Sequence, residues 1–452
     1  MKYFVKDLEK ILNAKRIHLA DNKEITGIAI DSRKVKEGDL FIPFLGENVD
    51  GHDYIESAFE KGAVASLSLK DNFVSDNNII YVNDSYEAIQ GLAKHYLENL
   101  NAKIIAITGS NGKTTTKDIV TNILETKFKV HKTQGNFNNE LGVPLTILAA
   151  PEDSDILVLE MGADNFGQLD FLSKLVKPDY TIITNIGESH IEFFGSRAGI
   201  AKAKFEITNG MKKDGFFVYN GDEPLLKELV ENSSINATSC GENSYNDIIL
   251  ENYTITRNEI DFKLNIDENN FSTTLKGKHN LFNIMFAVAI AKKIGLANEE
   301  IRYAIDNISK ITNMRLESIP YAEDSLIIND AYNASPTSMK AAVDVISDLN
   351  DFEFKTLVLG SMFELGPNEV EYHSGVGTYI NNNSRGINLV ISVGVLAKNI
   401  TDNINNKDIS TLHFSTVEEV TDYLKANKHK NEVILFKASR SMKLETIINN
   451  IK

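Results

Sequence analysis

The sequence contains no tryptophan, a single cysteine and no apolar run near the ~20 residues that a bilayer-spanning helix needs. A lone Cys240 rules out an intramolecular disulfide and a thiolate-rich metal site, which fits a reducing compartment. The opening "MKYFVKDLEKIL" lacks the cationic segment, apolar block and cleavage pattern of a secretory signal, so a soluble, cytoplasmic protein is expected. Positive charge is also short: the formal net charge of -16 argues against a general nucleic-acid binder, although phosphates can still be bound locally. What remains is ordinary globular composition, 42% hydrophobic and 24% charged. At 452 residues, two or three domains are expected.

Three blocks can be read along the chain. Residues 1–98 hold short strands such as "ITGIAI", turn-rich loops and a closing helix, "SYEAIQGLAKHYLENLN". Residues 99–311 alternate strand and helix, as in "KIIAITGS", "TTKDIVTNILET", "SDILVLEMG" and "DYTIITNIG", which predicts a parallel three-layer α/β domain. Between 241 and 277 short alternating runs suggest an antiparallel insertion or edge sheet, followed by the helix "NLFNIMFAVAIAKKIG". Residues 312–452 alternate again, predicting a smaller α/β domain.

The strongest local motif is "IAITGSNGKTTTKDIV", an apolar strand, a glycine turn and a helix start. Glycines let backbone amides crowd an anion, and a helix N-terminus favours phosphate. The spacing G-x-x-G-K-T is not a full Walker A, because Ile107 stands where that pattern needs glycine. Gly109, Ser110, Asn111, Gly112, Lys113, Thr114 and Thr115 are therefore candidate triphosphate contacts, with the Thr114 hydroxyl available to Mg²⁺. Glu160 ends an apolar strand, where a carboxylate faces either the ligand crevice or solvent. His190 follows another strand and is weak as a lone magnesium ligand, since magnesium prefers hard oxygen donors. Lys202 and Lys204 point in different directions on a helix, and spacing does not choose between them. The amide-rich loop "TQGNFNNELGVPLT" could grip a sugar or a peptide.

Taken together, "DSRKVKEGDLFIPFLGENVDGHDYI", "ITGSNGKTTTK", "GNFNNELGVP", "LEMGADNFGQL", "TNIGESHIEFFGS", "GKHNLFNIMFAVA", "NDAYNASPTSM" and "VLGSMFELG" resemble the Mur ligases of bacterial cell-wall synthesis. The likeness spans nearly the whole chain. It implies an ATP- and Mg²⁺-dependent amide ligase with three domains: an N-terminal UDP-sugar domain, a central parallel-sheet P-loop ATPase domain and a mobile, Rossmann-like C-terminal domain. "GNFNNELGVP" with "DAYNASPTSM" points within the family to the step joining D-Ala-D-Ala to UDP-N-acetylmuramoyl-tripeptide, by a monomer that binds no nucleic acid and does not insert in membranes. By the same resemblance Ser32, Arg33, Gly51 and His52 would serve the uridine nucleotide, and Asn138 and Asn139 its peptide. Asn280 and Asn283 would lie on the adenine side, Asp330 and Tyr332 at ribose and adenine, and Arg315 between domains. Glu160, His190 and Thr114 would serve the metal together with Lys204, which stands fourteen residues after His190, the offset of the family's often carbamylated lysine. Two positions depart from the family pattern: Ser361 replaces an acidic residue, and Ala438 replaces a glycine. The "DNPR" motif of diaminopimelate-adding relatives is absent. Folate polyglutamate synthesis would leave the N-terminal landmarks unexplained, and an ATP-binding switch or scaffold would leave the asparagine-rich loop without a purpose.

Overall fold

The computed structural model describes residues 1–452 except 257, 309, 310 and 323; Arg257, inside the expected antiparallel stretch, thus lies outside the described residues. Four sheets organise the described residues. A two-stranded antiparallel pair, Tyr3–Phe4 with Glu24–Ile25, accompanies a five-stranded sheet near the N-terminus. In the latter the strands Ile79–Tyr81, Ala65–Ser68, Asp39–Phe41 and Gly27–Ala29 run parallel, and Arg16–His18 is an antiparallel edge. The helix Ser85–Asn99 follows, its first turn capped by the Asp84 carboxylate accepting from the Tyr86 and Glu87 amides.

The central sheet has nine strands. Seven are parallel, and the last two, Ile260–Leu264 and Phe271–Thr273, continue it antiparallel from Ile248–Ile255. Of the two readings of this segment, an antiparallel insertion or an edge sheet, the structure shows the second, an extension of the same sheet at its edge. The strand Lys103–Thr108 lies between Ile156–Glu160 and Tyr180–Ile183. The chain leaves it toward one edge and later returns on its other side, so the crevice beyond its C-terminal end is a topological switch point, where α/β proteins gather ligands. One face of this sheet is covered by the helices Lys113–Leu124 and His279–Ile294, which bury Ile119, Val120, Ile123, Leu281, Ile284 and Val288 against one another and the strands. Gly295, at φ +105°, ends the second helix in the left-handed region that favours glycine.

The third sheet system has six strands, parallel except for the edge hairpin of Glu317–Tyr321 with Ser325–Asn329. The helix Pro336–Asp348 starts with Ser335 and Ser338 forming a reciprocal cap and Pro336 in its first turn. Among the described residues no helix is long and apolar enough to cross a membrane.

Cys240 is fully buried in the strand Ala237–Gly241, and burial pushes its thiol pKa upward. An aqueous thiol reagent should modify the native protein at least about 100-fold more slowly than the denatured chain. Equal rates would show that this strand opens freely.

Candidate active site

The phosphate loop occupies the switch point. Gly109 adopts φ +148° and Gly112 φ +79°. A Cβ on Gly109 would stand 1.9 Å from Thr184 Oγ1, and one on Gly112 would stand 2.7 Å from Asn283 Oδ1, so both positions need glycine for conformation and for space. Lys113 Nζ donates to the carbonyls of Gly109 (2.7 Å) and Ser110 (3.4 Å). Burial pushes the Lys113 pKa down, Glu160 opposes this and Arg315 adds to it. Ser110 Oγ, Asn111 Nδ2 and Arg315 Nε are buried without a hydrogen-bond partner among the described residues. Such groups are costly in a dry interior and are the expected signature of donors kept for a ligand.

Glu160 ends the strand adjoining the loop strand, 3% exposed. Asn138 Nδ2 donates to its Oε1 at 3.0 Å, and its own amide donates to Thr133 Oγ1 at 3.0 Å. Oε2 has no hydrogen-bond partner, and Lys117 Nζ lies 3.8 Å away. Lys117, 2% exposed, was not singled out from the sequence, although it stands one helical turn beyond Lys113. Thr114 Oγ1 accepts from Arg315 Nη2 at 3.4 Å. No three His, Cys, Asp or Glu side chains converge among the described residues. A buried carboxylate oxygen without a hydrogen bond is nevertheless a hard-oxygen donor that fits Mg²⁺, and Thr114 carries a second such donor on the loop helix.

His190 adopts φ +60°, and its Nδ1 lies 2.7 Å from Oε2 of Glu364, a third-domain residue that sequence reading did not single out. Burial pushes the His190 pKa down, Glu364 opposes this, and the charges of Lys204 and Lys113 are also felt there. Lys204 is 1% exposed whereas Lys202 is exposed, so the fold separates the two lysines. Lys204 Nζ donates to the Ala163 carbonyl at 3.2 Å and lies 5.7 Å from the Phe194 ring centroid. Burial, reinforced by Lys113, brings its pKa down to about 7, against the pull of Asp164 and Glu206.

A cavity of about 460 Å³ opens between the loop and the third domain, lined by Asn280, Asn283, Arg315, Asp330 and Lys437 among others. Asn283 Oδ1 accepts from Thr116 Oγ1 at 3.1 Å and its Nδ2 donates to Asn280 Oδ1 at 2.8 Å, so the two asparagines form one network with the loop helix. Asp330 accepts from Lys437 Nζ at 2.5 Å and from the Leu316 amide at 3.3 Å. Tyr332 sits under the Arg315 guanidinium, 4.1 Å from ring centroid to Cζ. It lines a neighbouring cavity with His190, Glu364 and Arg440 instead of the first one. Third-domain groups reach the central domain directly: Thr337 donates from its amide and hydroxyl to Glu188 Oε2 at 3.1 and 2.7 Å, and Ser335 Oγ donates to Asn111 Oδ1 at 3.3 Å.

The N-terminal candidates lie outside both cavities. The Ser32 carbonyl accepts from Lys61 Nζ at 3.0 Å. The Arg33 side chain, 85% exposed, forks onto Asp31 at 2.9 Å, and its hydrogen bonds hold the Asp31 carboxyl at about 2. Gly51 is forced by space, since a Cβ there would meet Phe44 N and O at 2.8 Å. His52 has both ring nitrogens engaged: Nδ1 lies 2.7 Å from Asp50 Oδ1, and Nε2 accepts from the Leu69 amide at 3.0 Å. Its ring is thus a scaffold for the loop. Asn139 Oδ1 accepts from the amide of Gly142, the first residue of the helix Gly142–Leu148, at 2.8 Å. The two departures are internally compensated. Ser361 Oγ accepts from the Ala397 amide at 3.2 Å, and the Ala438 methyl stands 2.6 Å from where a Cβ on Gly360 would lie, so glycine there makes room for it.

Comparison with known families matches most of the chain. Residues 24–122 match the model of the Mur ligase family catalytic domain, 107–291 the Mur ligase middle domain, and 314–440 the Mur ligase glutamate ligase domain. The UDP-N-acetylmuramoyl-tripeptide–D-alanyl-D-alanine ligase of Bacillus subtilis is 44% identical over 437 residues, covering 94% of this chain and 93% of that protein. The crystal structure of MurF from Acinetobacter baumannii superposes with a TM-score of 0.90 at 28% identity, covering 100% of this chain and 99% of that one. MurF ligase from Thermotoga maritima in complex with ADP gives 0.84 at 30% identity, with 94% and 96% covered. With a central phosphate-loop domain that the third domain reaches directly, the chain belongs to the Mur ligase family.

Proposed function

We propose that this chain joins D-Ala-D-Ala to UDP-N-acetylmuramoyl-tripeptide at the expense of ATP, forming a peptidoglycan precursor and releasing ADP and phosphate. The observation that carries the nucleotide half of this reading is the convergence of unpartnered buried donors, Ser110 Oγ, Asn111 Nδ2 and Arg315 Nε, around a glycine loop and Lys113. In the proposed division residues 1–98 hold the UDP-sugar, 99–311 hold ATP, and 312–452 close over the nucleotide and receive the dipeptide.

A carboxylate acylates an amine poorly because oxide is a poor leaving group. Here the terminal carboxylate of the tripeptide attacks the γ-phosphorus of ATP, giving an acyl phosphate and ADP. The free amine of D-Ala-D-Ala then attacks the activated carbonyl, and the tetrahedral intermediate collapses to the amide with loss of phosphate and a proton. Lys113 faces the charge that develops on the transferred phosphoryl oxygens. Glu160, Thr114, His190 and Lys204 would hold magnesium, which when bound offsets triphosphate charge. Contacts from the third domain, Thr337 to Glu188 and Ser335 to Asn111, would exclude water from the acyl phosphate.

Lys204 suits this site only if its cation is removed. With a pKa of about 7 its amine offers a lone pair near neutrality, and addition to CO₂ gives an anionic carbamate and releases a proton. Lys204→Ala is expected to lower turnover by about 100-fold, with partial recovery on adding a short carboxylate. Turnover within twofold of wild type without any added carboxylate would refute the carbamate.

The reaction itself is tested by measuring phosphate release with UDP-N-acetylmuramoyl-tripeptide, with and without D-Ala-D-Ala, and weighing the nucleotide product. Release with formation of the pentapeptide nucleotide is expected. Release that demands a different amine would move the chain to another step of the same chemistry, and none at all would contradict the reading.

A further inference from the structure

The segment Thr312–Leu316 carries the chain into the third domain, and it is fastened twice to one face of the phosphate-loop helix. The Thr312 amide and hydroxyl donate to Asp118 Oδ2 at 2.8 and 2.7 Å, and Arg315 Nη2 donates to Thr114 Oγ1 at 3.4 Å. Thr114 and Asp118 are one helical turn apart, so the strap lies along that turn. Its backbone is strained on either side of Arg315: Met314 has φ +62° and Leu316 φ +54°, both in the region disfavoured for residues with a side chain. Such a conformation persists only where neighbouring contacts hold it. Arg315, between them, lines the cavity shared with Asn280, Asn283 and Asp330 and keeps an unpartnered buried Nε.

Asp118 is 1% exposed and is the fixed end of this arrangement. Lys132 Nζ donates to its Oδ1 at 2.7 Å and Lys117 Nζ lies 3.8 Å away, so its charge is balanced without loosening its grip on Thr312. We propose that Asp118 is a positioning residue for the nucleotide: by anchoring Thr312 it holds the strained strap against the helix, and so sets Arg315 beside the phosphates. The inference rests on the reading of the cavity as the nucleotide site. The rival role, a mere counter-ion for Lys117 and Lys132, would act on the Glu160 side and not through Arg315.

The test is calorimetric titration of Mg²⁺–ADP into wild type, Asp118→Ala, Thr312→Val, Arg315→Ala and the Asp118→Ala/Arg315→Ala pair. Asp118→Ala should weaken ADP about 10-fold and Thr312→Val about threefold, while affinity for UDP-N-acetylmuramoyl-tripeptide stays within about twofold. In the Arg315→Ala background the Asp118 change should cost less than about twofold more, because its effect passes through the arginine. Additive losses, or an unchanged ADP affinity in Thr312→Val, would overturn the proposal. If Asp118→Ala does not fold, Thr312→Val and its pair with Arg315→Ala complete the same cycle. Wild type that fails to bind ADP would refute the nucleotide reading of the cavity and the strap with it.

Discussion

Lys113→Ala is expected to lower kcat/KM for ligation by about 10³-fold or more, about 4 kcal/mol of transition-state stabilisation. The ammonium is seated by the Gly109 and Ser110 carbonyls, in a loop whose glycines leave no alternative backbone path. Its pKa is pushed down by burial and held up by Glu160, so the charge is already positioned before the phosphoryl group moves. Because that charge counts most in the transition state, saturating ATP should not restore the rate. Lys113→Arg should recover little, since a planar fork does not replace a compact point charge between two carbonyls. Affinity for the UDP-tripeptide should be unchanged, as the candidate residues for it lie outside the cavity. Turnover within tenfold of wild type would remove Lys113 from the chemistry.

Glu160→Gln is expected to lower turnover by 10²- to 10³-fold, or about 3–4 kcal/mol, and to raise the half-saturating magnesium concentration by more than about tenfold. The amide keeps an acceptor for Asn138 but replaces the free carboxylate oxygen with a poor magnesium ligand or a donor facing Lys117. Glu160→Ala leaves Lys117 with Asp118 as its remaining acidic neighbour, so the two variants together separate charge from packing. The decisive readout is the magnesium titration of the rate. A purely structural Glu160 would lower the melting temperature and leave the magnesium midpoint where it was.

Much of the loop and its supporting strands was legible because each carries its own local signal. The stretch from Ile105 to Val120 contains the strand, the two strained glycines and the helix start within sixteen residues. The cap of helix Pro336–Asp348, made by Ser335 and Ser338 with Pro336 between them, is equally local but was not singled out from the sequence. Edge strands were harder. Glu317–Tyr321 contains Pro320, which is tolerated at a sheet edge but reads as a break, and the strands of the first domain are only two to four residues long. The choice of Lys204 over Lys202 came from the resemblance and not from their spacing; the fold supplies its physical reason, since Ile200 and Lys204 lie one turn apart and share the buried face. Lys117 gave no such sign, because a lysine beside an aspartate on a helix looks like a solvated face until the Glu160 strand is packed over it. The His190–Glu364 and Asp118–Thr312 contacts join residues far apart in sequence, and only the fold brings them together.

The measurement that bears most directly on the central claim is the fate of oxygen. UDP-N-acetylmuramoyl-tripeptide labelled with ¹⁸O at the carboxylate that accepts the dipeptide should be turned over with ATP and D-Ala-D-Ala, and the released phosphate weighed. If that carboxylate attacks the γ-phosphorus, one labelled oxygen leaves with each phosphate and the other stays in the new amide carbonyl. Phosphate that carries no label, released while the pentapeptide forms, would contradict acyl-phosphate chemistry at this site.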